Sequence, residues 1–164
     1  MDEELNTLSA QVGDALRRHG FMLATAESCT GGWVAQTVTA VAGSSRWFER
    51  GFVTYTNIAK QEMLGVRAAT LAEFGAVSEQ TVREMAQGAL NNSHAQISLA
   101  ISGIAGPGGA SLDKPVGMVC FAWAGIDRPV RSRTEHFMGN REVVRRQAVL
   151  TALRGVLTAI DEKP

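Results

Sequence analysis

Apolar positions along the chain switch repeatedly between a helical and a strand-like period, and glycine punctuates the switches. Leu5, Leu8, Val12, Ala15 and Leu16 recur at helical spacing and predict an amphipathic helix that Gly20 stops. Phe21 to Ala26 is a short apolar run, predicted as a strand. It breaks into the turn Glu27-Ser28-Cys29-Thr30-Gly31-Gly32 and then into a helix opening at Trp33-Val34-Ala35. Gly51 to Thr56 has period-two character. Asn57 is the expected N-cap of a short helix through Met63 and Leu64, with Lys60 in its first turn and Gly65 at its close. Val82, Met85, Ala86, Ala89 and Leu90 form the clearest helical stripe, with Ser78 placed to cap it. Ile97 to Ser102 reads as a strand, followed by the glycine-rich segment Gly103 to Gly109 and a polar stretch ending at Lys114-Pro115. Val116 to Ala124 and Val130 to Met138 predict an antiparallel hairpin across Gly125 to Pro129. A last helix follows Gly139-Asn140. Val143, Leu150, Leu153, Leu157 and Ile160 are expected inward on it, and Arg141, Arg145 and Arg146 crowd its first turns.

This alternation predicts an α/β fold, a three-layer α/β/α sandwich in a single domain, 1–164. Its mixed, mostly parallel sheet would have about five strands, one of them antiparallel. Ligands of such sheets gather at the carboxyl ends of strands, where three of the glycine- or hydroxyl-rich segments fall. A composition 45% hydrophobic and 20% charged supplies a full core and excludes a disordered tail or a disulfide miniprotein. Sixteen basic and sixteen acidic side chains cancel, so anion recognition must be local. Direct nucleic-acid binding, with only the arginines near Arg141 to support it, is the weakest option. No apolar run approaches the roughly 20 residues that span a bilayer, and no cationic and apolar leader is expected. Cys29 and Cys120 lie far apart, so reduced thiols in the cytoplasm are expected, with no membrane association.

The turn at Ser28 places a hydroxyl, a thiol and small residues before a helix N-terminus, where backbone N–H groups can bind an anion or an oxyanion. The competing reading is that Ser28 or Thr30 only caps the helix. Cys29 is a rival nucleophile if the helix terminus lowers its pKa, and otherwise a small buried hydrophobe. A serine nucleophile needs a base, and His19, His94 and His136 sit poorly for that role. Lys60 is the best-placed alternative, since desolvation can lower a lysine's pKa; on a short helix it can equally be a solvated charge. The Gly103 loop is neither a Walker A nor a dinucleotide fingerprint. Arg141, at a helix start, can hold a phosphate or carboxylate, while Arg145 and Arg146 read as a solvated face. No His/Cys/Asp/Glu cluster has metal-ligand spacing.

Ala26-Glu27-Ser28-Cys29-Thr30-Gly31-Gly32, then Tyr55-x-Asn57-x-x-Lys60, then Gly103-Ile104-Ala105-Gly106-Pro107-x-Gly109 and Lys114-Pro115-Val116-Gly117 together resemble the C-terminal domain of the CinA family. The likeness covers nearly the whole chain. It implies an α/β/α fold with a mixed five-stranded sheet. It also implies hydrolysis of the carboxamide of nicotinamide mononucleotide (NMN) to nicotinate mononucleotide and ammonia, a step of pyridine-nucleotide salvage that uses no metal and no cofactor. By position, Ser28 is then the nucleophile, Lys60 its base and Tyr55 a hydroxyl that orients or relays a proton. Ser102 and Arg141 match further functional positions; many members carry threonine where Ser102 stands, which keeps the hydroxyl. Cys29, Thr30, Gly31, Ser102, Gly103, Gly106 and Arg141 are the expected substrate-binding set. N–H groups of the Cys29–Thr30 turn or the Gly103 loop would hold the oxyanion, and Arg141 with the glycine loop the phosphate. Two alternatives stand beside this: Ser28 only binds while Lys60 activates water, or the chain is a non-catalytic nucleotide-binding module linked to competence or DNA damage. A homodimer is compatible with the sequence, with Trp33, Trp47 and Phe48 assignable to core or interface. Relatives carry an additional N-terminal domain, which this chain is expected to lack.

Overall fold

The computed structural model describes residues 2–162, so positions 1, 163 and 164 of the expected domain lie outside the described residues. The elements in chain order are α1 (Glu3–His19), β1 (Leu23–Glu27), α2 (Trp33–Thr39), a 3-10 turn (Ser44–Arg46), β2 (Phe48–Val53), α3 (Asn57–Leu64), α4 (Ala68–Phe74), α5 (Glu79–Asn91), β3 (Ile97–Gly103), β4 (Met118–Gly125), β5 (Arg131–His136) and α6 (Arg141–Asp161). One sheet of order β2-β1-β3-β4-β5 joins the strands. β1 pairs in parallel with β2 and β3, whereas β3–β4 and β4–β5 are antiparallel. Four strands therefore run one way and β4 alone opposes them, the mixed α/β arrangement the sequence predicts.

Local chemistry sets most helix ends. Asp2 caps α1, Gly20 ends it at φ 68°, Ser78 caps α5 and Asn140 caps α6 by accepting from Val143 N–H at 3.0 Å. The expected cap of α3 is corrected by one residue. Thr56, not Asn57, is the N-cap, its hydroxyl accepting from Ala59 N–H at 3.1 Å, and Asn57 is the first helical residue. β2 starts at Phe48 rather than Gly51, because an edge strand with half-exposed side chains carries a weak alternation. Val143, expected inward, is 44% exposed. The buried row of α6 runs through Val144, Ala148 and Ala152, and Val143 stands about 100° away from it on the helix. Leu150, Leu153 and Ile160 are buried as expected, and Leu157 packs partly against the core.

The two sheet faces differ in side-chain size. Toward α1, α2 and α6 the strands present Leu23, Ile97, Leu99, Ile101, Val119, Phe121 and Trp123. Toward α3, α4 and α5 they present Ala24, Ala26, Ala100, Cys120, Ala122 and Ala124, with Ser98 donating to Ala86 O of α5 at 2.7 Å. Small residues let α5 lie close to the sheet, and α3 stacks on α5 with equal intimacy: a Cβ on Gly88 would sit 1.9 Å from Leu64 O. Trp47 is buried in the larger-residue core, and Trp33 and Phe48 pack against it. No helix among the described residues is long and apolar enough to cross a membrane.

Candidate active site

Side chains alternate across a strand, so Glu27 and Ser28 at the end of β1 leave for opposite faces of the sheet. Glu27 goes toward α2, and Ser28 goes toward α3 and meets Lys60. The Lys60 Nζ donates to Ser28 Oγ at 3.0 Å, to Thr54 O at 2.9 Å and to Tyr55 O at 3.3 Å. Lys60 is only 1% exposed, which overturns its reading as a solvated charge, and burial pushes its pKa below the ordinary lysine value. The geometry suits a base. In the neutral amine the two N–H groups can go to the two carbonyls, leaving the lone pair for the Ser28 hydroxyl proton.

A cavity of about 330 Å³ opens over this pair. Ser28, Lys60, Cys29, Tyr55, Ser102, Gly103, Gly106 and Arg141 all line it. Ser102 reaches it from the same sheet face as Ser28, since β1 and β3 are in register and Ser28 N–H donates to Ile101 O at 3.0 Å. Arg141 bridges the mouth, donating to Gly106 O at 2.9 Å and contacting the Tyr55 hydroxyl at 3.3 Å. The observed partner of the Tyr55 hydroxyl is thus Arg141; it is the Tyr55 carbonyl that touches Lys60. Gly106 and Gly109 adopt φ of 85° and 92°, which bends the loop around the cavity.

Thr30 and Gly31 do not line the cavity. Thr30 is fully buried, its hydroxyl donating to Glu27 Oε1 at 2.7 Å, and Gly31 is exposed. Neither Ser28 nor Thr30 caps α2. Glu27 does, its carboxylate accepting from Val34 N–H at 2.9 Å and Ala35 N–H at 3.1 Å. Burial pushes the Cys29 thiol up to about 11, so it is protonated at neutral pH and a poor nucleophile. None of the three histidines lines the cavity. Arg145 and Arg146 are not a solvated face. Arg145 donates to Cys29 O at 3.0 Å and Thr30 O at 3.2 Å, and Arg146 pairs with Asp2 and Glu4.

Ile104, Ala105, Gly108 and Gly109 of the Gly103 loop also line the cavity, as do Asn57, Ala76 and Val77, which the sequence reading does not place there. Asn57 has a sequence signal, one helical turn before Lys60. Ala76 and Val77 have none, arriving through the α4–α5 connection. A larger cleft of about 570 Å³ between α4, α5, β4 and β5 touches this cavity only at Val77 and holds none of the expected residues.

Residues 5–160 match the family described as CinA C-terminal domain. The chain is 58% identical over 153 residues to nicotinamide-nucleotide amidohydrolase PncC of Escherichia coli (strain K12), covering 93% of each chain. It is 47% identical over 155 residues to the protein of the same name from Pseudomonas putida, covering 94% of this chain and 96% of that one. The crystal structure of competence/damage inducible protein CihA from Agrobacterium tumefaciens superposes with a TM-score of 0.92 at 45% identity, over 96% of both chains.

Proposed function

The chain belongs to the CinA C-terminal domain family, and on that premise we propose that it is an enzyme hydrolysing the carboxamide of NMN to nicotinate mononucleotide and ammonia, with Ser28 as nucleophile and Lys60 as base. The carrying observation is the buried Lys60 Nζ, 3.0 Å from Ser28 Oγ at the floor of a cavity. The 58% identity to a relative named nicotinamide-nucleotide amidohydrolase supplies the substrate.

In this mechanism Ser28 Oγ bonds to the amide carbon while its proton passes to neutral Lys60. The carbonyl electron pair moves onto oxygen. Ser28 C=O accepts from Gly31 N–H at 3.0 Å, and across a trans peptide that turns the Cys29 N–H the other way, where it can receive the oxyanion. Lys60 then returns the proton to the departing nitrogen, the C–N bond breaks, and ammonia leaves an ester on Ser28. Water attacks the ester with Lys60 again taking a proton. The carboxylate product departs and the Ser28 hydroxyl is restored. Arg141 and the Gly103 to Gly109 loop hold the phosphate, matching a guanidinium fork and backbone N–H groups to its oxygens.

The test is ammonia release from NMN by the purified protein in the presence of chelator, beside Ser28→Ala. Chelator-resistant release that disappears in the variant supports the reading, as does mass-spectrometric trapping on Ser28 of the nicotinate mononucleotide acyl ester, ribosyl phosphate included. No release from folded wild-type protein overturns it.

A further inference from the structure

The Ser28 turn is gripped from the side away from the cavity. Glu27, 1% exposed, accepts from the Thr30 hydroxyl and from the N–H groups of Val34 and Ala35. It thereby satisfies donors that the start of a helix leaves without partners. Gly32, in the N-cap position of α2, has no side chain to do this. Glu27 is also joined to the other half of the site through its main chain: its carbonyl accepts from Thr54 N–H at 2.8 Å, and the Thr54 carbonyl accepts from Lys60 Nζ. Arg145 closes the grip from α6. Its planar fork takes two successive carbonyls, Cys29 O and Thr30 O, while its guanidinium carbon sits 5.4 Å above the Trp33 ring. Arg141 and Arg145 are four residues apart on α6 and share a face, so one helix end reaches the cavity mouth and the underside of the nucleophile turn together.

We infer that Glu27 and Arg145 are positioning residues that set the placement of Ser28 Oγ against Lys60 without touching substrate. The inference rests on the reading of Ser28 as nucleophile. The clamp acts on a contact of 3.0 Å, and a displacement of the turn by even about 1 Å would cost on the order of 100-fold in rate. Because the substrate-holding groups lie on other segments, the loss falls on turnover.

The experiment compares Arg145→Met, Arg145→Lys and Glu27→Gln with wild type and with Arg146→Met, which removes the neighbouring guanidinium from Asp2 and Glu4 but leaves the turn untouched. Three quantities are read: kcat and KM for NMN, the rate of covalent inactivation by a serine-directed fluorophosphonate, and the melting temperature. Expected is a fall of about tenfold or more in both kcat and inactivation rate for Arg145→Met, with KM within about twofold. Arg145→Lys, able to reach one carbonyl, recovers part of the loss, and Glu27→Gln falls in the same direction. Arg146→Met lowers the melting temperature and leaves kcat unchanged. Folded Arg145→Met and Glu27→Gln proteins that keep kcat and inactivation rate within about twofold of wild type overturn the inference, as does a rise in KM at constant kcat. Should Glu27→Gln fail to fold, the two Arg145 variants decide. Ser28→Ala run in parallel separates the two claims. If it retains activity, the nucleophile reading itself fails; if it is inactive while the clamp variants are normal, only the positioning inference fails.

Discussion

Lys60 Nζ and Ser28 Oγ are 3.0 Å apart although 32 positions separate them in the chain. The lysine is brought there by α3, whose first turn starts where β2 has ended, and is held by two carbonyls that leave it one direction in which to act. Removing either partner should lower turnover steeply. Ser28→Ala is expected to lower kcat by about 10³-fold or more, and Lys60→Met by about 10²- to 10⁴-fold. Both are checked by ammonia release from NMN at saturating substrate, and activity within tenfold of wild type for either variant would contradict the assignment.

The pH dependence follows from the direction of the Lys60 shift. Burial lowers its pKa below 10.5, and only the neutral amine accepts the serine proton. kcat should therefore rise with pH through a midpoint below 10.5, and Lys60→Arg, charged throughout, should be inactive at every pH. The stability linkage has the same sign. The unfolded chain binds this proton more tightly, so the folding penalty is complete below the folded-state pKa and relieved as pH rises toward 10.5. Melting temperatures of wild type and Lys60→Met should converge or cross in favour of wild type as pH is raised.

At the acid end the sensitive contact is Asp2 with Arg146, 2.6 Å between Oδ2 and Nε. The Arg146 hydrogen bonds hold the Asp2 carboxyl at about 2. The stability from this pair is present above the ordinary carboxylate value of 3.8 and is lost as pH falls toward 2. Asp2→Asn keeps a side-chain oxygen to cap α1 but removes the charge. Urea midpoints measured between pH 5 and pH 2.5 should therefore fall less steeply for this variant than for wild type.

Arg128 secures the far end of α6. Its Nη1 donates to Ala159 O, Ile160 O and Glu162 O, and its guanidinium lies 5.0 Å from the Phe21 ring centroid. Arg128→Met should cost about 2 kcal/mol in denaturant unfolding with kcat unchanged, because the site draws on the opposite end of that helix.

Much of this architecture could be read in the sequence because its signals are local. The α1 and α5 stripes, the cap at Ser78, the start of the last helix after Asn140, the glycine stops and the alternation of element types needed no tertiary information. The serine turn and Lys60 were legible as residues, but the state of Lys60 was not. Its burial comes from packing of α3 against α5 and from the β2–α3 connection, neither of which leaves a mark in the spacing around position 60. The capping role of Glu27 has no sequence signal because the helix N–H groups it accepts from lie 7 and 8 positions on, beyond the spacing of a capping box, and the grip of Arg145 on the turn has none because both of its carbonyl partners are more than 100 residues away. The segment Ala68–Phe74 is too short for a stripe, and Val143 shows how one residue of helical phase decides between interior and solvent.

The difference between the two sheet faces has a consequence for the chemistry. The alanines beneath α5 act as shims: their thickness fixes how deeply the α3–α5 layer seats, and with it how far the Lys60 amine reaches toward the serine. Ala100→Val, beneath α5, would lift that layer off the sheet, and Gly88→Ala would press α3 away from α5 at Leu64. Such a change would detune the reaction and leave the binding groups of the Gly103 loop where they are. Under the proposed mechanism, the reach of Lys60 toward Ser28 is set by the small size of the side chains on one face of a β-sheet.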